Sequence, residues 1–95
     1  MDREIRFEIK AQLGVIQEYP TGWRKELNLV AWNGNQAKFD VRDWDPEHEH
    51  MSRGITLTEK EMSKMMDIVA EKSQDIKDVF AKEKVKHRSD RENER

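Results

Sequence analysis

Four antiparallel strands followed by one long C-terminal helix, an α+β fold, is what this 95-residue sequence predicts. Three observations lead there. Between Ile5 and Trp44, apolar and polar residues alternate with a period of two in three separate runs, the pattern of half-buried strands. Asn33-Gly34 lies between the second and third runs, and this pair suits the positive φ angles of a tight hairpin. From Thr58 onward neither Gly nor Pro occurs, while Met62, Met65, Met66, Val69, Ile76 and Phe80 recur at steps of three, four or seven, as on one face of a helix.

The first strand is expected over about 5–16, with Ile5, Phe7, Ile9, Ala11, Leu13 and Val15 on one face and Arg6, Glu8, Lys10 and Gln12 on the other. "YPTG" then supplies turn chemistry. In the second strand, about 23–32, Trp23, Lys25, Leu27, Leu29 and Ala31 share one parity, and Arg24, Glu26, Asn28, Val30 and Trp32 share the other. The third, about 37–44, sets Ala37, Phe39 and Val41 against Lys38, Asp40 and Arg42, with Trp44 in phase with the charged set. "DPEHEHMSRG" reads as a polar loop, and "GITL", 54–57, as a short fourth strand with Ile55 and Leu57 inward. Thr58 and Glu61 have the spacing of a capping box, which opens a helix over about 59–85. Residues 1–86 then form a single ββββα domain, and 87–95 a disordered polar tail.

A helix of that length runs ~40 Å, whereas a six-residue strand spans ~20 Å. One sheet cannot cover the whole apolar stripe, so Ile76 and Phe80 on the overhang predict a homodimer through the helices.

Composition narrows the function classes. Only 35% of residues are hydrophobic and 40% are charged, so the core must be thin and oligomerisation is the expected staple. Cysteine is absent, which removes disulfides and thiolate metal sites and fits a cytoplasmic setting. No apolar run approaches the ~18 residues of a membrane span, and "MDREIRFEIK" lacks a signal-peptide block. There is no Gly-rich phosphate loop and no Ser in a nucleophile elbow, so a non-catalytic protein without cofactor or small-molecule substrate is expected. The formal net charge is −2, so any nucleic acid must be met by local positive charge. The most basic run is "KEKVKHR", Lys82 to Arg88, which suits the negative pole of a helix end or an auxiliary phosphate contact.

The tryptophans carry the sharpest question. With the helix over the Leu27, Leu29, Phe39 and Val41 side, Trp32 and Trp44 fall on the opposite, polar face, beside Arg24, Asn28, Lys38 and Arg42. An indole among cations is the platform a single strand of nucleic acid needs: bases stack on the ring and cations track the phosphates. An indole at a strand end also packs on a loop, a partner or an Arg stem, and a bulge reverses strand parity. Parity alone leaves both readings open. Glu26 and Asp40 share the face, where they repel phosphate or pair with Arg24 and Lys38. His48 and His50, two apart in the loop, have the spacing of a metal pair, but no third His or Cys is spaced to complete a site, and none is assigned.

The order of "AWNG", "KFDVRDW", "DPE" and "RGITLT" before a helix resembles the transcriptional coactivator family of positive cofactor four, closest to its small bacterial YdbC-like relatives in Firmicutes. That resemblance implies a curved four-stranded antiparallel sheet, a homodimer through the helices, and binding of single-stranded DNA across the sheet face with little sequence preference. It matches Trp32, Arg42 and Trp44 to the family's contact residues and adds Arg53, before the fourth strand. The expected site is therefore Trp32 and Trp44 for bases and Arg24, Lys38, Arg42 and Arg53 for phosphates. Arg6 and Lys10 are outer contacts, Asn28 a donor to phosphate or base edge, and Lys25 a further candidate near a strand end. RNA is the alternative ligand. The rival reading is a dimeric interaction module that docks on a larger transcription or repair complex. Either fits a cytoplasmic, nucleoid-associated protein.

Overall fold

The computed structural model describes residues 5–94, with side chains to Lys84. The chain divides into two compact units, Met1–Met62 and Ser63–Arg95.

The first unit is a four-stranded antiparallel sheet with strands in sequence order: β1 (Phe7–Glu18), β2 (Arg24–Trp32), β3 (Lys38–Trp44) and β4 (Ile55–Leu57). The Asn33-Gly34 expectation holds. Both residues have positive φ, 53° and 79°, and the Asn35 amide donates to the Trp32 carbonyl at 2.9 Å. The earlier turn closes with the Gly22 amide donating to the Tyr19 carbonyl, Gly22 itself at φ 96°.

The first strand departs from simple alternation. Its register against β2 shifts three times, between Ile9 and Ala11, Gln12 and Gly14, and Val15 and Gln17. Each shift leaves one residue of β1 without a partner, bends the strand and increases its twist. Phe7 and Ile9 stand opposite Trp32 and Val30, so they share the tryptophan face rather than the Leu27 face, while Ala11 stands opposite Leu29. The single apolar face expected for 5–16 is thus split between the two sides.

The resulting sheet curls tightly. The Phe7 ring lies 5.6 Å from the Trp32 ring and 5.2 Å from the Trp44 ring. Yet Trp44 pairs with Arg24, at the other end of β2 from Trp32, and a flat strand would separate those ends by roughly 25–30 Å. The concave side is therefore crowded and the convex side splayed. Val30, Trp44, Glu26, Asn28 and Asp40, all on the concave side, are almost wholly buried. Leu27, Leu29, Phe39 and Val41, expected as core, are only half-buried on the convex side. The expectation that the polar face stays wet is corrected here, because curvature closes it.

The helical region begins as expected. The Thr58 amide donates to the Glu61 carboxylate at 2.8 Å and the Glu61 amide to the Thr58 hydroxyl at 3.1 Å, a reciprocal capping box. In place of one helix ending near 85 there are two, α1 (Glu59–Glu71) and α2 (Ser73–Glu94), separated by Lys72. Backbone bonds of the i to i−4 kind, Lys72 to Ile68 and Ile76 to Lys72, continue across that residue. With no Gly or Pro to stop it, α2 runs on through most of the stretch expected as a tail.

Candidate nucleic-acid interface

The rim of the concave face holds an open groove of about 540 Å³, lined by Ile5, Trp32, Asn33, Lys38, Arg42, Met51, Ser52, Arg53 and Thr56. β2 ends at Trp32, β3 supplies Lys38 and Arg42, and the segment entering β4 supplies Ser52 and Arg53. Gly54 makes this approach possible. A Cβ there would collide with the Val41 carbonyl oxygen and with Arg42, so only glycine lets the segment lie so close to β3.

Polar contacts order the groove. The Arg42 Nε donates to Asp40 Oδ1 at 2.7 Å, and its guanidinium carbon lies 4.6 Å from the Trp32 ring centroid. One terminal nitrogen of Arg42 donates to the Ser52 carbonyl at 3.3 Å. The Trp32 indole N–H donates to the other oxygen of Asp40 at 3.2 Å. Lys38 and Arg53 are exposed, and no carboxylate among the described residues lies within salt-bridge distance of either. The groove thus combines a half-buried indole, an ordered guanidinium and two open cations.

A family model, that of transcriptional coactivator p15 (PC4), matches residues 19–68. The chain belongs to this family. An uncharacterized protein of Treponema pallidum (strain Nichols) is 32% identical over 72 residues, which cover 76% of this chain and 85% of the relative. The PC4 match takes in β2, β3, β4 and the first turns of α1, and so includes every element that lines the groove apart from Ile5.

Within this PC4-type sheet the expected site residues separate into two groups. Trp32, Lys38, Arg42 and Arg53 come together around the groove. The others do not. Trp44 has the expected parity but is fully buried, with Phe7 on it and the His48 ring 5.5 Å away, so it offers no open ring. Asn28 is 1% exposed and donates to Glu26 at 2.9 Å, which removes it from any phosphate or base edge. Arg24 lies at the far end of the concave face, 3.3 Å from Glu26. Arg6 precedes Phe7 and so has convex parity, its backbone bonded to Asn33. Lys10 sits at the first bulge with its ammonium 3.2 Å from Glu8, which pairs with Ala31 on the convex side. Lys25, opposite Asp43, is also convex.

The two histidines diverge. His48 Nε2 lies 3.0 Å from both Glu26 oxygens, and His50 Nδ1 lies 3.0 Å from Asp45 Oδ2. Among the described residues no group of three or more His, Asp or Glu is placed to hold a metal ion. Asp45 organises the loop: one oxygen accepts from the amides of Glu49 and His50 at 2.8 and 3.1 Å. Burial acts to raise the Asp45 carboxyl pKa, but the His50 side chain and these two amides favour the charged form, and the net position is below the ordinary 3.8.

Sequence reasoning missed Asn33, Met51, Ser52, Thr56 and Ile5 as lining residues. Thr56 carries a signal, since it alternates with Ile55 and Leu57 in the sequence, and the fold pairs it with Asp40 on that face. Met51 and Ser52 lie in an aperiodic loop, where no parity exists to read.

Proposed function

We propose that the chain is a non-catalytic, single-stranded DNA-binding protein of the PC4 family that acts as a homodimer. What supports this reading most is the groove itself: the half-buried Trp32 indole beside exposed Lys38 and Arg53. Stacking on an indole is open to any unpaired base, so recognition is sequence-tolerant, and paired bases hide the faces that stack. The cations take the phosphates. Dimerisation through the helices is supported by Met66, Val69, Val79 and Phe80, all more than half exposed in the single chain.

The rival is a docking module with no affinity for DNA, and the half-open convex face favours it. A mobility-shift titration with an oligothymidine, an oligouridine and a duplex of equal length separates the two. The proposal expects a shift with oligothymidine that weakens with salt and is absent with duplex, together with a dimer in sedimentation equilibrium. No shift with any oligonucleotide favours the docking module.

A further inference from the structure

Asp40 is a carboxylate with no exposed surface, set in the middle of a face that must receive a polyanion. Its two oxygens are divided between the two groups that build the groove wall. Oδ1 accepts from Arg42 Nε at 2.7 Å and Oδ2 from the Trp32 indole N–H at 3.2 Å, while the guanidinium lies over the same indole at 4.6 Å. Asp40, Arg42 and Trp32 therefore close a triangle in which every pair is in contact. Neither Glu26 nor Lys38 enters it: Glu26 is occupied by Arg24, His48 and Asn28, and Lys38 stays open.

This arrangement changes what Arg42 can do. Its charge is matched at close range by a buried carboxylate, and two of its donors are spent, Nε on Asp40 and one terminal nitrogen on the Ser52 carbonyl. A guanidinium held over an indole is a stacking surface and a hydrogen-bond donor rather than a free counter-charge for phosphate. We propose that Asp40 is a positioning residue for nucleic-acid binding, fixing Arg42 and Trp32 as one base-receiving platform and leaving the phosphates to Lys38 and Arg53. The proposal rests on the nucleic-acid reading above. It opposes the simpler view of Asp40 as a charge that merely repels the ligand, and the two views differ in sign.

The test is fluorescence anisotropy of a labelled oligothymidine titrated with wild type, Asp40→Asn and Trp32→Phe, each over a series of salt concentrations. Asp40→Asn keeps the size of the side chain and removes its charge. A positioning role predicts affinity weakened by roughly tenfold, the loss expected when a base stack is impaired rather than deleted. It also predicts an unchanged slope of log affinity against log salt and a shifted indole N–H resonance for Trp32. Trp32→Phe keeps an aromatic ring but removes the N–H given to Asp40, and should also bind more weakly while remaining folded at the assay temperature, as read by its circular dichroism. If Asp40→Asn binds as well or more tightly, or with a steeper salt slope, Asp40 is only a repelling charge and the inference is wrong. Should Asp40→Asn fail to fold, undiminished binding by Trp32→Phe overturns it equally. Absence of binding by wild type defeats the nucleic-acid reading itself and this inference with it.

Discussion

Trp32 and Trp44 stand on the same side of one sheet, but only Trp32 reaches the rim, where its indole borders the groove. Trp44 lies against Phe7 and beneath His48 with no exposed surface. Replacing it with Ala should therefore destabilise the fold by about 3–5 kcal/mol, the cost of emptying a large aromatic site, as read by urea denaturation. Parity in the sequence placed both indoles on the correct side. It could not tell rim from interior, because alternation records which side a residue takes and carries no record of how far the sheet bends. The same limit applies to Asn28, legible as a polar-face residue and yet buried. The Asp40–Arg42 pair was half legible: a shared face was readable, but the choice of Arg42 over Lys38 depends on a geometry that only the folded sheet supplies.

At the scale of elements, hairpins and caps were legible because their chemistry is local. Asn33-Gly34 and the Thr58–Glu61 box each need only a few consecutive residues. The bulges of β1 were not, since a bulge is a relation to the neighbouring strand and "IRFEIKAQLGVI" alternates well enough alone. The loop after Trp44 yields a pH prediction. The Asp45 pKa is lowered in the fold, so the folded state binds fewer protons than the unfolded chain in that range. Its contribution to stability is full above the ordinary value of 3.8 and is lost as pH falls through the lowered native value. Urea denaturation across pH 2–6 should show stability falling in acid for wild type, with a shallower fall for Asp45→Asn. Gly54 yields another. Gly54→Ala forces the β4 entry away from Arg42, and the expected result is a lower melting temperature together with weaker oligonucleotide binding, because Ser52 and Arg53 move with it.

For the whole molecule the question is how a chain of net charge −2 holds a polyanion. Its concave face is largely self-neutralised, Arg24 by Glu26 and Arg42 by Asp40, which leaves Lys38 and Arg53 as open cations at the groove. With two phosphates neutralised per chain, log affinity should fall against log salt with a slope of about −1.4. Four contacts, with both arginines released from their carboxylates, would double it. On the proposed reading, a shallow slope would assign the larger part of the binding energy to stacking on Trp32.

Intrinsic tryptophan fluorescence during titration with a short oligothymidine, for wild type and Trp32→Phe in parallel and with duplex as control, tests the role of Trp32 most directly. Saturable quenching in wild type, absent with duplex and lost in Trp32→Phe, is the predicted result. Binding of undiminished affinity by Trp32→Phe, with quenching carried by Trp23 or Trp44, would place the ligand elsewhere on the molecule and contradict the account.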